Sequence, residues 1–145
     1  MSIESQIENS HLLTDIFGRW PSFHDAEVLN IALDRGERGA FDPSLEAAFR
    51  LYEGTSDVDH EGRYVLKNHV VVRIKFSRIV NLTLADFNQQ NVLGSLVIEH
   101  LSDREQDRVK FRVVFESIFG VKAKLHCDSV RIESVEPYSP LQSQL

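Results

Sequence analysis

The sequence predicts an α+β domain in which one N-terminal helix packs on a curved, mainly antiparallel sheet of about six or seven strands. Two observations carry this. Apolar residues alternate with polar ones through most of the chain after residue 24, the period of a strand with one wet face. The turn-forming residues fall between these runs at short intervals, which suits antiparallel neighbours. A length of 145 residues fits a single domain spanning the whole chain, large enough to bury roughly 70% of the surface its unfolded chain exposes. Hydrophobic residues at 42% and charged residues at 26% place it in the ordinary globular range.

Residues 3–18 read as one helix. Asn9 or Ser10 is its capping candidate, Leu12, Leu13, Ile16 and Phe17 form its apolar face, and Gly18 stands where a helix stops. Pro21 prevents resumption. From His24 to Asp34 the chain reads as extended, with Leu29, Ile31 and Leu33 on the buried face, and the polar turn "DRGERGAFDP" follows. Residues 43–53 satisfy two rules at once. Asp42, Pro43 and Gly54 would punctuate a helix, whereas Leu45, Ala47, Phe49 and Leu51 alternate with Glu46 and Arg50 as a strand does. The β-rich context favours the strand.

"TSDVDHEGRY", residues 55–64, reads as a charged loop. Val70, Val72, Ile74 and Phe76 then alternate with Val71, Arg73, Lys75 and Ser77. Continuing that phase would bury Arg78, so a bulge or turn is expected there before Val80, Leu82 and Leu84. "ADFNQQN" interrupts the sheet, "VLGSLVIEHL" restarts it, and "SDREQD" is a turn. Val109, Phe111, Val113 and Phe115 point inward in the next strand. The last strand starts at Val121 with Ala123, Leu125 and Cys127 inward, then slips phase near Asp128 and Ser129 so that Val130 and Ile132 are buried. Residues 138–145 are expected to be a loose tail.

Function classes narrow by chemistry. A formal net charge of −6 disfavours nucleic acid as a partner, because phosphate recognition needs clustered cations, and suits a basic protein partner. The N-terminus has neither the basic start nor the apolar run of a signal peptide, and no window approaches a membrane span. With a single cysteine, these features predict a cytoplasmic protein without membrane association. His126 and Cys127 are neighbours on a strand and project oppositely, so they form no catalytic dyad. His24, Asp25 and Glu27 are divided by the same alternation, and no catalytic residue, metal site or cofactor is expected.

Two runs stand out. In "RWPSFHDAEV", Trp20, Pro21 and Phe23 suit covering a junction of helix and sheet, with His24 and Asp25 bonding the backbone of the turn. In "FNQQN", beginning at Phe87, the amides of Asn88, Gln90 and Asn91 suit either pinning an irregular loop or recognising a partner backbone. Together with "LYEG" (Leu51 to Gly54), the stretches "FGRWPSFHDAEV" and "FNQQNVL" resemble the immunity protein 50 family of bacterial polymorphic toxin systems, in the same order over roughly residues 12–100. Gln89 stands where that family more often carries a His, and the family's segment before "LYEG" is extended.

The resemblance implies a non-enzymatic protein that binds a cognate protein toxin, neutralises it by occlusion and protects the producing cell. Trp20, the amide loop and the exposed carboxylates Asp57, Asp59 and Glu61 are the candidate contacts. The rival expectation is a small-ligand-binding or hydrolytic protein with a pocket around His24, Asp25 and Glu27. Sheet edges leave both a monomer and a homodimer open.

Overall fold

The computed structural model describes residues 2–139. One α-helix, α1 (His11–Phe17), precedes eight strands: β1 (Glu27–Asp34), β2 (Ser44–Val58), β3 (Tyr64–Ser77), β4 (Val80–Ala85), β5 (Val92–His100), β6 (Phe111–Phe119), β7 (Lys122–Cys127) and β8 (Ser129–Pro137). They form one antiparallel sheet in the order β4-β7-β6-β5-β1-β2-β3-β8. The mostly antiparallel α+β architecture is as expected, but the described residues hold eight strands rather than six or seven. Of residues 43–53, all but Pro43 are extended within β2, with Leu45, Ala47, Phe49 and Leu51 buried.

Both phase slips read from the sequence meet at one corner. The chain bends at Arg78, which takes the left-handed φ of +55°, and again at Asp128. Ser77 pairs with Ser129 on one side of the bend and Val80 with His126 on the other, while the Asp128 N–H donates to the Ser77 carbonyl at 3.0 Å. Thus β3–β4 and β7–β8 are two long bent strands that run together through the corner. Bending lets Phe76 and Ile132 face the same core as Leu125, while Arg78 stays outside and pairs with Asp128 at 3.7 Å. The extra strand in the count is this second bend.

The N-terminal segment departs from a single helix over 3–18. A 3₁₀ turn spans Ile3–Gln6, and Asn9 takes a φ of +61°, which ends any helical run before α1 begins. Between them, Glu8 lies along β8: its N–H donates to Val130 and its carbonyl accepts from Ile132, both at 2.9 Å. Tertiary pairing at a sheet edge has displaced local helix propagation here. Neither capping candidate makes a side-chain cap, since Ser10 makes none and the Asn9 amide donates to the Ile132 carbonyl. Leu13 and Phe17 of α1 enter the core, and Gly18 closes the helix in the left-handed conformation at φ +78° with its N–H on Thr14.

In β1 simple alternation misplaces Leu29 but holds for Ile31. Val28 is buried whereas Leu29 and Leu33 are exposed, and Ile31 is half-buried. The register against β2 shifts between Val28 and Asn30, so Leu29 is the extra residue of a bulge, and beyond it Ile31 and Leu33, opposite Ala47 and Leu45, return to the core-facing side, where Ile31 packs on the core. The expected loop over 55–64 is also shorter than predicted. Thr55–Val58 belong to β2, Tyr64 opens β3, and Asp59–Arg63 alone turn between them. Tyr138, expected in a loose tail, donates its N–H to the His69 carbonyl and stacks on the His69 ring. Residues 140–145 of that expected tail lie outside the described residues.

Candidate partner-binding face

The runs Phe23–Val28 and Asn91–Leu93 meet in space, where the two halves of the sheet are joined. Direct ladder pairing of β1 with β5 is confined to Glu27 and Val92. The junction is completed by backbone bonds from the Asp25 N–H to Leu93, the Val28 N–H to Asn91 and the Leu93 N–H to Ala26, at 2.8–2.9 Å. Asp25 reaches this geometry with a φ of +69°, a conformation that Asp tolerates better than most residues. Phe23 is buried against Phe49, edge to face at 5.6 Å, and Trp20 lies 5.7 Å from Phe23. Pro21 is buried with them.

The side-chain amides of Asn88 and Asn91 are engaged by backbone groups. Asn91 is 3% exposed. Its Oδ1 accepts from the Asn88 N–H at 2.9 Å and from the Val121 N–H at 3.1 Å, while its Nδ2 donates to the Asn88 carbonyl at 2.6 Å. Asn88 Oδ1 accepts from the Gln90 N–H and its Nδ2 donates to the Asp86 carbonyl. Gly120 is essential to this arrangement. It takes φ +76°, and a Cβ there would strike the Gln90 carbonyl and lie 2.6 Å from Asn91 Oδ1. Phe87 is exposed at the rim of the loop.

His24 and Asp25 depart from the expected role. Their backbones hold the turn, but their side chains stand in solvent, 60% and 55% exposed and 3.7 Å apart. Glu27 is turned to Arg50 at 3.5 Å. His24 lines a groove that neither Asp25 nor Glu27 lines, so the three do not converge on a common pocket. Among the described residues, no group of three His, Cys, Asp or Glu side chains is placed to hold a metal ion. Cys127 is buried in the core, where burial, then the Asp128 carboxylate, push its thiol up to about 12.

Beyond Arg50 and Val70 the two central strands leave the sheet. Residues 53–67 continue as a two-stranded ribbon, since β1 pairs with β2 only as far as Arg50 and β8 with β3 only as far as Val70. Val58, Tyr64, Val65 and Leu66 are exposed on it. Asp57, Asp59 and Glu61 are exposed at its tip, although the Asp59 carboxylate is engaged by the N–H groups of Glu61 and Arg63. Between the ribbon and the Arg19–His24 turn lies a groove of 530 Å³, with Phe17, Arg19, Pro21, Ser22 and His24 on one wall and Tyr52–Ser56 with Lys67 on the other.

The root of the ribbon carries a polar network that the sequence did not reveal. Arg50 bridges Glu27, donates from Nε to His69 Nε2 at 2.8 Å and lies 4.3 Å over the Tyr138 ring. Burial, then the Arg50 cation, hold the His69 imidazole below its usual value. A neutral His69 is the form that accepts this bond. Residues 27, 50, 69 and 138 are far apart in sequence, and only their positions on β1, β2, β3 and the end of β8 bring them together.

A family model described as immunity protein 50 matches residues 9–138. The chain belongs to the immunity protein 50 family. The match extends through β6, β7 and β8, beyond the stretch over which short motifs carried the resemblance. Membership implies an immunity role and a protein toxin as partner. No curated protein and no solved structure matches the chain. No helix among the described residues is long and apolar enough to cross a membrane.

Proposed function

We propose that this immunity protein is non-enzymatic and neutralises its toxin in the cytoplasm by covering it with the ribbon and the adjoining groove wall. The observation that carries the reading is the ribbon itself. A two-stranded ribbon is marginal in water when no third strand or helix supports it, and this one exposes four large apolar side chains beside acidic ones. Covering Val58, Tyr64, Val65 and Leu66 with a partner supplies the missing burial. Asp57 and Glu61 then attract a basic toxin surface and orient it.

The family motifs act through the scaffold in this reading. Pro21 lines the groove, Phe23 and Trp20 pack on the core beside it, Asn88 and Asn91 hold the sheet junction, and Gln90 contributes through its backbone. Trp20 and Phe87, each partly exposed, are the motif residues open to direct contact.

The test is co-expression with the product of the gene immediately upstream, scoring survival and then co-purification. Survival with a stable complex is expected, and the double substitution Tyr64→Ser, Leu66→Ser should abolish both without lowering the melting temperature. A toxic neighbour that the intact protein neither binds nor silences would overturn the proposal.

A further inference from the structure

The two edges of the sheet are treated differently. At β8 the chain's own Glu8 and Asn9 occupy the outer hydrogen-bonding groups. At β4, by contrast, no other segment among the described residues pairs with the outer side. The sequence of β4, "VNLTLA", holds no Lys, no Pro and no charge that would keep a second strand away. A bulge near Asn81, at φ +56°, leaves Thr83–Ala85 in regular pairing with β7.

Side chains around this edge add two further features. At the start of β4 an apolar pocket of 280 Å³ is lined by Ala40, Phe41, Pro43, Ile79 and Val80, with Arg78 and Arg108 beside them. Phe41 stands 78% exposed there, held at φ +50°. Along the strand, Thr83 and Ala85 lie opposite Lys124 and Lys122 of β7. Lys122 is 3.7 Å from Asp86 and Arg78 is 3.7 Å from Asp128, but Arg108 and Lys124 have no ion pair among the described residues. An acidic protein thus presents an apolar and basic strip along the open edge of β4.

We propose that this strip binds an extended, acidic segment of a partner protein by strand addition to β4. The backbone of the segment pairs with Leu82–Ala85, one large apolar side chain enters the pocket beside Phe41, and its carboxylates face Arg108 and Lys124. Charge complementarity selects this occupant over a second copy of the chain, which would bring like cations to the same strip. The strip is distinct from the ribbon: Ser77 and Tyr64, at opposite ends of β3, are about 40 Å apart at roughly 3.3 Å per residue.

The test uses the full chain and two synthetic peptides, in each of which a valine run with one central phenylalanine alternates with charges, glutamate in one and lysine in the other. Binding is read by calorimetry, and hydrogen exchange is followed at residues 80–85. The glutamate peptide should bind about tenfold or more tightly than the lysine peptide at low salt, lose that preference as salt rises, and slow exchange in β4. The variant R108E/K124E should lose the preference while its melting temperature is retained. Equal binding of both peptides, or no slowing of exchange in β4, overturns the proposal. So does a concentration-dependent dimer whose β4 amides are protected without peptide, since the occupant is then a second copy. No toxin is used, so failure here leaves the immunity reading standing.

Discussion

Replacing Asn91 by Ala removes three hydrogen bonds from the place where the halves of the sheet meet, and its cost follows from which groups are left behind. The Val121 N–H loses its acceptor in a residue that is 0% exposed, so its desolvation is uncompensated, at about 1–3 kcal/mol. The Asn88 N–H and carbonyl lose partners in an exposed loop where water replaces them, at about 0.5–1.5 kcal/mol each. The sum centres near 4 kcal/mol, an apparent fall in melting temperature of about 8–16 °C for a chain of this size. Asn88→Ala is the control. It removes two bonds, to Gln90 and Asp86, in the same exposed loop, and at the same rate it should cost about 1–3 kcal/mol, centred on half the Asn91 loss. Urea unfolding followed by circular dichroism measures both. A loss below about 1 kcal/mol for Asn91→Ala, or equal losses for the two variants, would refute the assignment of Asn91 as the structural pin.

Gly120→Ala should destabilise by more than about 2 kcal/mol in the same assay, because it combines a positive φ with a clash on the Gln90 carbonyl. Gly54→Ala, which meets open space at an ordinary φ, should be neutral within about 0.5 kcal/mol. For His69 the folded pKa lies below its ordinary value of 6.5, so the unfolded chain binds the proton more readily. Its contribution is present above the unfolded pKa and is lost as pH falls through that value toward the folded one. The melting temperature should therefore drop on acidification from about pH 7.5 to about pH 5.5, and His69→Gln should drop less. His24→Ala should leave stability within about 0.5 kcal/mol, since its side chain is solvated, and thermal unfolding checks this.

Strand identity was legible wherever one face is buried against the core. The alternation of Val70, Val72, Ile74 and Phe76 survives intact in β3, and the charges that broke the pattern, at Arg78 and Asp128, marked the true bends. That these two bends pair with each other was not legible, because nothing local records which distant strands share a corner. Alternation failed at Leu29, where a bulge puts Val28 into the core in its place, and it failed at Glu8, where an edge of the sheet recruits a segment that would otherwise extend a helix. Of the candidate site, the self-bonding of Asn88 and Asn91 followed from side-chain chemistry. The ribbon did not, because its charged residues read as a loop while its apolar ones, Val58, Tyr64, Val65 and Leu66, belong to strands that outrun their neighbours. The Arg50–His69–Tyr138 network depends wholly on register and escapes any local rule.

Whether the ribbon is the neutralising face is decided by survival on co-expression with the upstream gene product, compared between the intact protein and the Tyr64→Ser, Leu66→Ser variant. The intact protein should rescue growth and co-purify with the toxin, while the variant should fold normally and do neither. Full protection by a folded variant would contradict the assignment of the ribbon as the neutralising face. Death with the intact protein present would contradict the immunity role itself.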